Sequence, residues 1–201
     1  MMARRGTIMA TAKVNRKHNQ IAVIIVLFIS SFIAPFILLF PIQELLYRPN
    51  DYYLFETIFK AYIILMIALI VMASVLLVNI IIAPKTKKGR NIQRAIVGTS
   101  WLLVLLFLFL CINHYQIMDE KGLHTNAFFS VQEDLTSWEE IIKAEQTNVQ
   151  KDGVTKPDKL IFTLKDGSTI EQSLTAKLAK AKPFINLELS KNGVTIENVY
   201  Q

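Results

Sequence analysis

IAVIIVLFISSFIAPFILLFPIQ, residues Ile21–Gln43, contains no Lys, Arg, Asp or Glu and decides the class of this chain. Ala61–Pro84 and Ala95–Met118 share that property. Each run is longer than the roughly 20 residues that a helix needs to cross the ~30 Å hydrocarbon core of a membrane. A soluble core helix is seldom apolar on every face over such a length. The sequence therefore predicts an integral membrane protein with three transmembrane helices in residues 21–118.

Basic residues are concentrated on two segments that flank these runs. The N-terminal tail, residues 1–20, and the second loop each hold five cations and no acid, whereas the charges of the first loop nearly balance. The cations of the second loop are Lys85, Lys87, Lys88, Arg90 and Arg94. Short loops rich in Lys and Arg stay in the cytoplasm. We therefore expect a multi-pass protein of the cell membrane with a cytoplasmic N-terminus and an extracytoplasmic C-terminal domain.

The same distribution bears on two other classes. The net charge of +6 comes from these flanking clusters, so it is not a signal for nucleic-acid binding. The first run follows a basic segment but is far longer than the 7–15-residue apolar core of a signal peptide. It is therefore expected to be a retained span.

Residues 119–201 have the composition of a small soluble domain, and their pattern predicts an α+β fold. We expect strands at Leu123–Phe129 and Lys159–Leu164, and a polar turn at Gln146–Pro157. Leu135–Ala144 is predicted as a bent strand or a short helical turn, and Val194–Val199 as a last strand or a tail. Lys165-Asp166-Gly167 is typical of a tight hairpin that leads into a strand at Ser168–Leu174. Thr175 is a candidate N-cap for a helix that reaches Ser190, which Pro183 either interrupts or divides into two pieces.

This part of the chain resembles the bacterial pleckstrin-homology-like (PH-like) domains that are fused to membrane spans. The resemblance rests on two strands around a Gly turn (Gln116–Asn126) and on Trp138-Glu139-Glu140-Ile141. It rests also on the hairpin Leu160–Gly167 and the C-terminal amphipathic helix. It implies an antiparallel sheet closed at one end by the helix, and a binding or scaffolding role. No catalytic residues accompany it.

Residues with catalytic or metal-binding chemistry are few and scattered. His18, His114 and His124 are each expected to be solvated, and Glu139 and Glu140 to point to opposite faces of a strand. Cys111, the only cysteine, lies within the third run and is expected to be a packing residue. We therefore predict no catalytic site, no metal site and no cofactor.

Two basic groups and one aromatic residue remain as candidate binding residues. The second-loop cations anchor the topology, and they could also attract anionic membrane lipids. Lys177, Lys180 and Lys182 on the predicted helix are solvated in the simplest interpretation, or they contact lipid headgroups or an anionic wall polymer. Trp138 is more typical of a core anchor than of a ligand platform.

These patterns favour a non-enzymatic membrane protein whose small domain binds a partner protein or an envelope component, as an immunity or accessory protein would. A membrane enzyme or enzyme subunit of lipid or cell-wall metabolism is the alternative from another class. A regulator with a cytoplasmic domain is a third. The sequence names neither the partner nor the oligomeric state.

Overall fold

The computed structural model describes residues 2–82, 84, 86–130, 132–151 and 153–200, with the side chains of all but 2–17 and 151. The chain forms two compact units, Met1–Leu46 with Thr57–His114, and Tyr47–Glu56 with Tyr115–Gln201. The helices are α1 (Met2–Tyr47), α2 (Phe59–Ile81), α3 (Lys87–Ile112) and α4 (Ala176–Lys191). The strands are β1 (Leu54–Thr57), β2 (Tyr115–Met118), β3 (Gly122–Asn126), β4 (Glu133–Ser137), β5 (Ile141–Lys151), β6 (Val154–Leu164), β7 (Thr169–Ser173) and β8 (Ile196–Tyr200).

Three helices in the first unit are long and apolar enough to cross a membrane. They are His18–Tyr47 within α1, Phe59–Ile81 and Lys87–Ile112. The predicted membrane region is confirmed at this level. The helix α1 is continuous from Met2, so the backbone of the predicted tail belongs to the same helix as the first span. Pro35 and Pro41 lie inside it.

A buried polar contact joins the ends of two helices in this unit. The side-chain amide of Gln43 on α1 donates to the carbonyls of Cys111, Ile112 and His114 at 3.0–3.1 Å. Its oxygen accepts the hydroxyl of Thr57. Gln43 is fully buried, and a buried amide is costly unless its hydrogen bonds are made. The end of α1 is therefore tied to the end of α3.

The second unit contains two four-stranded sheets and α4, and this confirms the predicted α+β domain. The strand orders are β1-β2-β3-β4 and β7-β6-β5-β8. In the second sheet β5 pairs with β6 in antiparallel and with β8 in parallel orientation. The sheet is mixed rather than purely antiparallel, because α4 acts as the crossover that brings β8 back beside β5. The predicted tail or strand near residues 194–199 is thus a strand.

A local prediction about the second sheet was wrong. Gln146–Pro157 is not a polar turn, because β5 and β6 continue through it as a long hairpin with Gly153 at its tip. Gln146 and Asn148 are buried on β5 but hydrogen-bond to each other, at 2.9 Å from Nε2 to Oδ1. A register shift between Thr147 and Asn148 accommodates Pro157 on the facing strand, as a proline inside a sheet requires.

The remaining local predictions are confirmed in their main features, except at Pro183. The Asp166-Gly167 hairpin joins β6 to β7, with Gly167 at φ 83°. Helix α4 is one continuous element that contains Pro183, so the predicted interruption or division at Pro183 is wrong. The predicted strand Leu123–Phe129 is shorter, Gly122–Asn126. Around residues 135–144 the chain forms the end of β4, a 3₁₀ turn at Trp138–Glu140 and the start of β5.

The core of the second unit includes a segment far from it in sequence. Leu54 of β1 is 2% exposed and joins Met118, Trp138, Phe162 and the inner face of α4 in one apolar cluster. The backbone N–H of Tyr53 donates to the carbonyl of Met118 at 2.7 Å. The sequence placed the start of this domain at residue 119. In the structure the unit also takes in Tyr47–Glu56 and β2.

Candidate functional site

Helix α4 has one buried and one exposed face because its apolar residues recur at helical spacing. Its start is fixed by Thr175, whose hydroxyl accepts the backbone N–H of Leu178 at 3.1 Å, a standard N-cap. It ends at Asn192 and Gly193, where the glycine has φ 75° and provides the left-handed residue that often follows a helix. The buried positions are Leu178, Ala181, Ile185, Glu188 and Leu189.

The opposite face of α4 carries two large apolar side chains among lysines. Phe184 is 52% exposed and Leu187 is 56% exposed. Lys177 and Lys180 are exposed on the same side of the helix, since positions three, four and seven apart share a helix face. We call Lys177, Lys180, Phe184 and Leu187 the α4 outer face. Two exposed apolar side chains bordered by polar groups make this face a candidate contact surface.

Tyr53 supports this face from the side. Its ring stacks on Phe184, with centroids 5.3 Å apart and planes at 7°. Its hydroxyl donates to Glu188 at 2.9 Å, and Lys191 donates to the other oxygen of the same carboxylate at 2.6 Å. Burial and the bond to Glu188 raise the pKa of Tyr53 to about 12. The hydrogen bond from Lys191 lowers the pKa of Glu188. Phe184 is therefore held in one place while its other side remains open.

The segment that carries Tyr53 is tied to the first turn of α4 as well. The hydroxyl of Thr175 donates to Glu56 at 2.6 Å, and the ammonium of Lys177 donates to the carbonyl of Phe55 at 3.4 Å. The segment thus contacts both the start of α4 and, through Tyr53, its second half. A shift of the helix would break these contacts. The α4 outer face is thus preorganised, which lowers the entropic cost of binding.

The three lysines predicted as a binding group are separated by the structure. Lys182 is half-buried, and its ammonium donates to the side-chain oxygen of Gln146. Gln146 in turn bonds Asn148, whose amide reaches the carbonyl of Val199 on β8 at 3.4 Å. Lys182 therefore belongs to an internal polar network across the second sheet, whereas Lys177 and Lys180 lie on the outer face.

Trp138 lies in the core, where its sequence context placed it. The side chain is 4% exposed, with its indole N–H donating to the carbonyl of Asp119 at 2.9 Å. Its ring meets Phe162 edge to face at 6.5 Å. Glu139 and Glu140 beside it are exposed on the 3₁₀ turn.

The second-loop cations lie at the start of α3. Lys87, Lys88, Arg90 and Arg94 are exposed on its first two turns. Lys85 lies outside the described residues. Thr86 caps this helix by accepting the N–H of Gly89 at 3.1 Å.

The sequence did not predict a polar cluster around His124. His124 on β3 is not a solvated side chain: its Nε2 lies 3.1 Å from Asp119, and its Nδ1 contacts Glu133 on β4. Glu133 also accepts the hydroxyl of Tyr115 at 3.2 Å. Asp119 further caps the turn by accepting the N–H of Lys121 at 2.8 Å. The cluster ties three strands and a turn together, and Tyr115 and Glu133 come from neighbouring strands that no sequence spacing reveals.

Among the described residues, no group of three or more His, Cys, Asp or Glu side chains is arranged to hold a metal ion. Comparison of the chain with family models, with curated proteins and with solved structures gave no match. Function must therefore be argued from the surfaces described above.

Proposed function

We propose that this chain is a non-enzymatic, membrane-anchored binding protein of the bacterial cell membrane. Its small PH-like domain binds a partner protein or an envelope component through the α4 outer face. The observation that carries this proposal is that Phe184 and Leu187 stay more than half exposed on a helix whose other face is buried. The partner is expected to present an apolar patch bordered by acidic groups, to match the lysines around this face.

The charge distribution supports an extracytoplasmic position for the domain. The basic tail and second loop favour the cytoplasm, and three spans then place the chain's end outside. A domain held there by three helices is confined close to the membrane, where tethering raises its local concentration for any membrane-associated partner. An immunity or accessory protein of the envelope requires this combination of placement and contact, and it requires no catalytic group.

The experiment is site-specific photo-crosslinking in intact cells. A photoreactive residue at Leu187 should form a discrete adduct, whereas one at Val154, which is similarly exposed (54%) on the β5–β6 hairpin, should not. Phe184→Glu should abolish the adduct at position 187 while the membrane level of the protein is unchanged. Equal adducts at both positions, or an adduct that survives Phe184→Glu, would place the binding surface elsewhere.

A further inference from the structure

A groove lies between α2 and α3, and its lining includes Gly89 at the start of α3. Its volume is about 530 Å³, within the roughly 300–1,000 Å³ typical of ligand sites. The groove runs from the middle of each helix to the loop that connects them. Its walls are mainly aliphatic, with Val71, Val75 and Val78 on α2 and Ile92, Ile96 and Val97 on α3.

Two of the polar side chains that border the groove donate hydrogen bonds within the protein. The hydroxyl of Ser74 donates to the carbonyl of Ile70 at 2.9 Å. The amide of Gln93 donates to the carbonyls of Asn79 and Ile82, both at 2.7 Å. Gln93 thereby satisfies carbonyls at the end of α2, where the helix leaves them without intrahelical partners. An occupant of the groove therefore meets aliphatic surface, which suits a hydrocarbon chain.

Two cations neighbour Gly89, which lines the end of the groove near the loop, although neither cation lines the groove itself. Gly89 lines it, and Lys88 and Arg90 flank Gly89 at about 100° to either side around α3, given 3.6 residues per turn. Both side chains are exposed. The sequence from residue 85 to residue 94 contains five cations and no acid. A negatively charged group that projects from this end would have one exposed cation on either side of it, with no carboxylate from that segment to oppose it.

From the aliphatic groove and the two exposed cations that flank its end, we infer a binding site for an anionic phospholipid. One acyl chain lies between α2 and α3, and the phosphate headgroup is held by Lys88 and Arg90. The site is independent of the α4 outer face, so either proposal can fail without the other. Basic pockets between membrane helices are an established way of binding anionic headgroups.

Native mass spectrometry of the full-length protein in detergent tests this inference. The protein is incubated with equal amounts of phosphatidylglycerol and phosphatidylethanolamine of the same chain length. The wild-type protein should retain phosphatidylglycerol in preference to phosphatidylethanolamine. The double variant Lys88→Gln/Arg90→Gln should lose at least fivefold in that preference, since one cation near an anionic headgroup contributes about a factor of five. Arg4→Gln/Arg5→Gln, which removes the same charge from the tail, should keep it.

Variants that fill the groove separate this site from general charge attraction. Val78→Trp, or Val75→Phe if the first is poorly folded, should reduce retention of both lipids. Helical circular dichroism of each variant checks that the spans are intact. Equal loss of preference in the loop and tail variants would reduce the effect to net charge and overturn the inference. Unchanged retention in the folded groove variants would also overturn it, and so would a wild-type protein without headgroup preference. Inorganic phosphate should not compete, because the headgroup alone lacks the acyl chain.

Discussion

The hydroxyl of Tyr53 donates a 2.9 Å hydrogen bond to the carboxylate of Glu188, which lies 135 residues further along the chain. Tyr53 comes after the first candidate span, and Glu188 comes after the third. Each residue therefore follows an odd number of membrane crossings. A contact between them is possible only if the first loop and the C-terminal domain are on the same side of the membrane. The hydrogen bond thus agrees with three crossings.

Replacing Tyr53 by Phe should make stability less sensitive to alkaline pH. Burial and the bond to Glu188 raise the pKa of Tyr53 from 10.0 to about 12. Between these values the unfolded chain has lost the proton and the folded chain retains it, so stability falls as pH rises. Tyr115, raised to about 12 chiefly by burial, contributes in the same direction. Thermal unfolding from pH 9 to 12 should therefore show a shallower decline in Tyr53→Phe than in wild type, and Tyr200→Phe at an exposed position should match wild type.

Glu188 should contribute an acid-dependent loss of stability. The hydrogen bonds from Lys191 and Tyr53 lower its pKa in the folded state, against the effect of burial. Its stabilisation is therefore complete above the unfolded pKa and is lost as pH falls through the folded pKa. Between pH 5 and 3, Glu188→Gln should decline less steeply than wild type in thermal melts. Glu171→Gln on an exposed ion pair with Lys159 is the control, because such pairs contribute little. Parallel curves for Glu188→Gln and wild type would contradict this role.

Signals that are local in sequence predicted their elements correctly. The three apolar runs, the Asp166-Gly167 turn and the Thr175 cap each depend on residues within a few positions of one another. The separation of Lys182 from Lys177 also follows from local geometry, because five residues correspond to about 140° around a helix. A helical projection of the sequence would have placed Lys182 on a different face.

Elements that depend on distant partners were not predicted. Leu54–Thr57 is a four-residue strand between two spans, and its pairing partner follows the third span. The polar residues Gln146 and Asn148 indicated a turn, but they are buried because each satisfies the other. The parallel pairing of β8 depends on the crossover through α4. Likewise, His124 gains Glu133 as a partner only when β3 pairs with β4.

The segment 47–56 should be required for the C-terminal domain to fold. Residues 119–201 alone lack β1, β2 and the buried side chains of Leu54 and Met118. We expect this fragment to show no cooperative thermal transition. Residues 115–201 preceded by 47–56 through a flexible Gly/Ser linker should recover one. In the fused fragment, Leu54→Ala should cost about 2–5 kcal/mol in urea unfolding. A cooperative transition of equal midpoint in the shorter fragment would show that the segment is dispensable.

Trp138 should behave as a core residue. Trp138→Ala in the fused fragment should cost about 3–5 kcal/mol, because it leaves a cavity beside Phe162. Trp138→Phe should cost less than Trp138→Ala, because it keeps an aromatic ring in the core. Its remaining cost includes the carbonyl of Asp119, which loses the indole donor. Phe129→Ala, at a position that is 83% exposed, should change stability by no more than about 0.5 kcal/mol. Equal midpoints for Trp138→Ala and wild type would instead make Trp138 a surface residue available for binding.

Cysteine labelling in intact cells should show whether the first loop and the C-terminal domain lie on the same side of the membrane, and which side that is. Cys111 is fully buried, so the native chain gives a low background. Single cysteines at Asp51 and Asn192, both exposed, are expected to react with a membrane-impermeant maleimide. A cysteine at Lys88 should react only after the membrane is permeabilised, because the basic loop favours the cytoplasm. Labelling of Asp51 and Asn192 on opposite sides would contradict the three-span topology. Labelling of Lys88 alone in intact cells would preserve that topology, reverse its orientation and place the domain inside, which is the position that a cytoplasmic regulator requires.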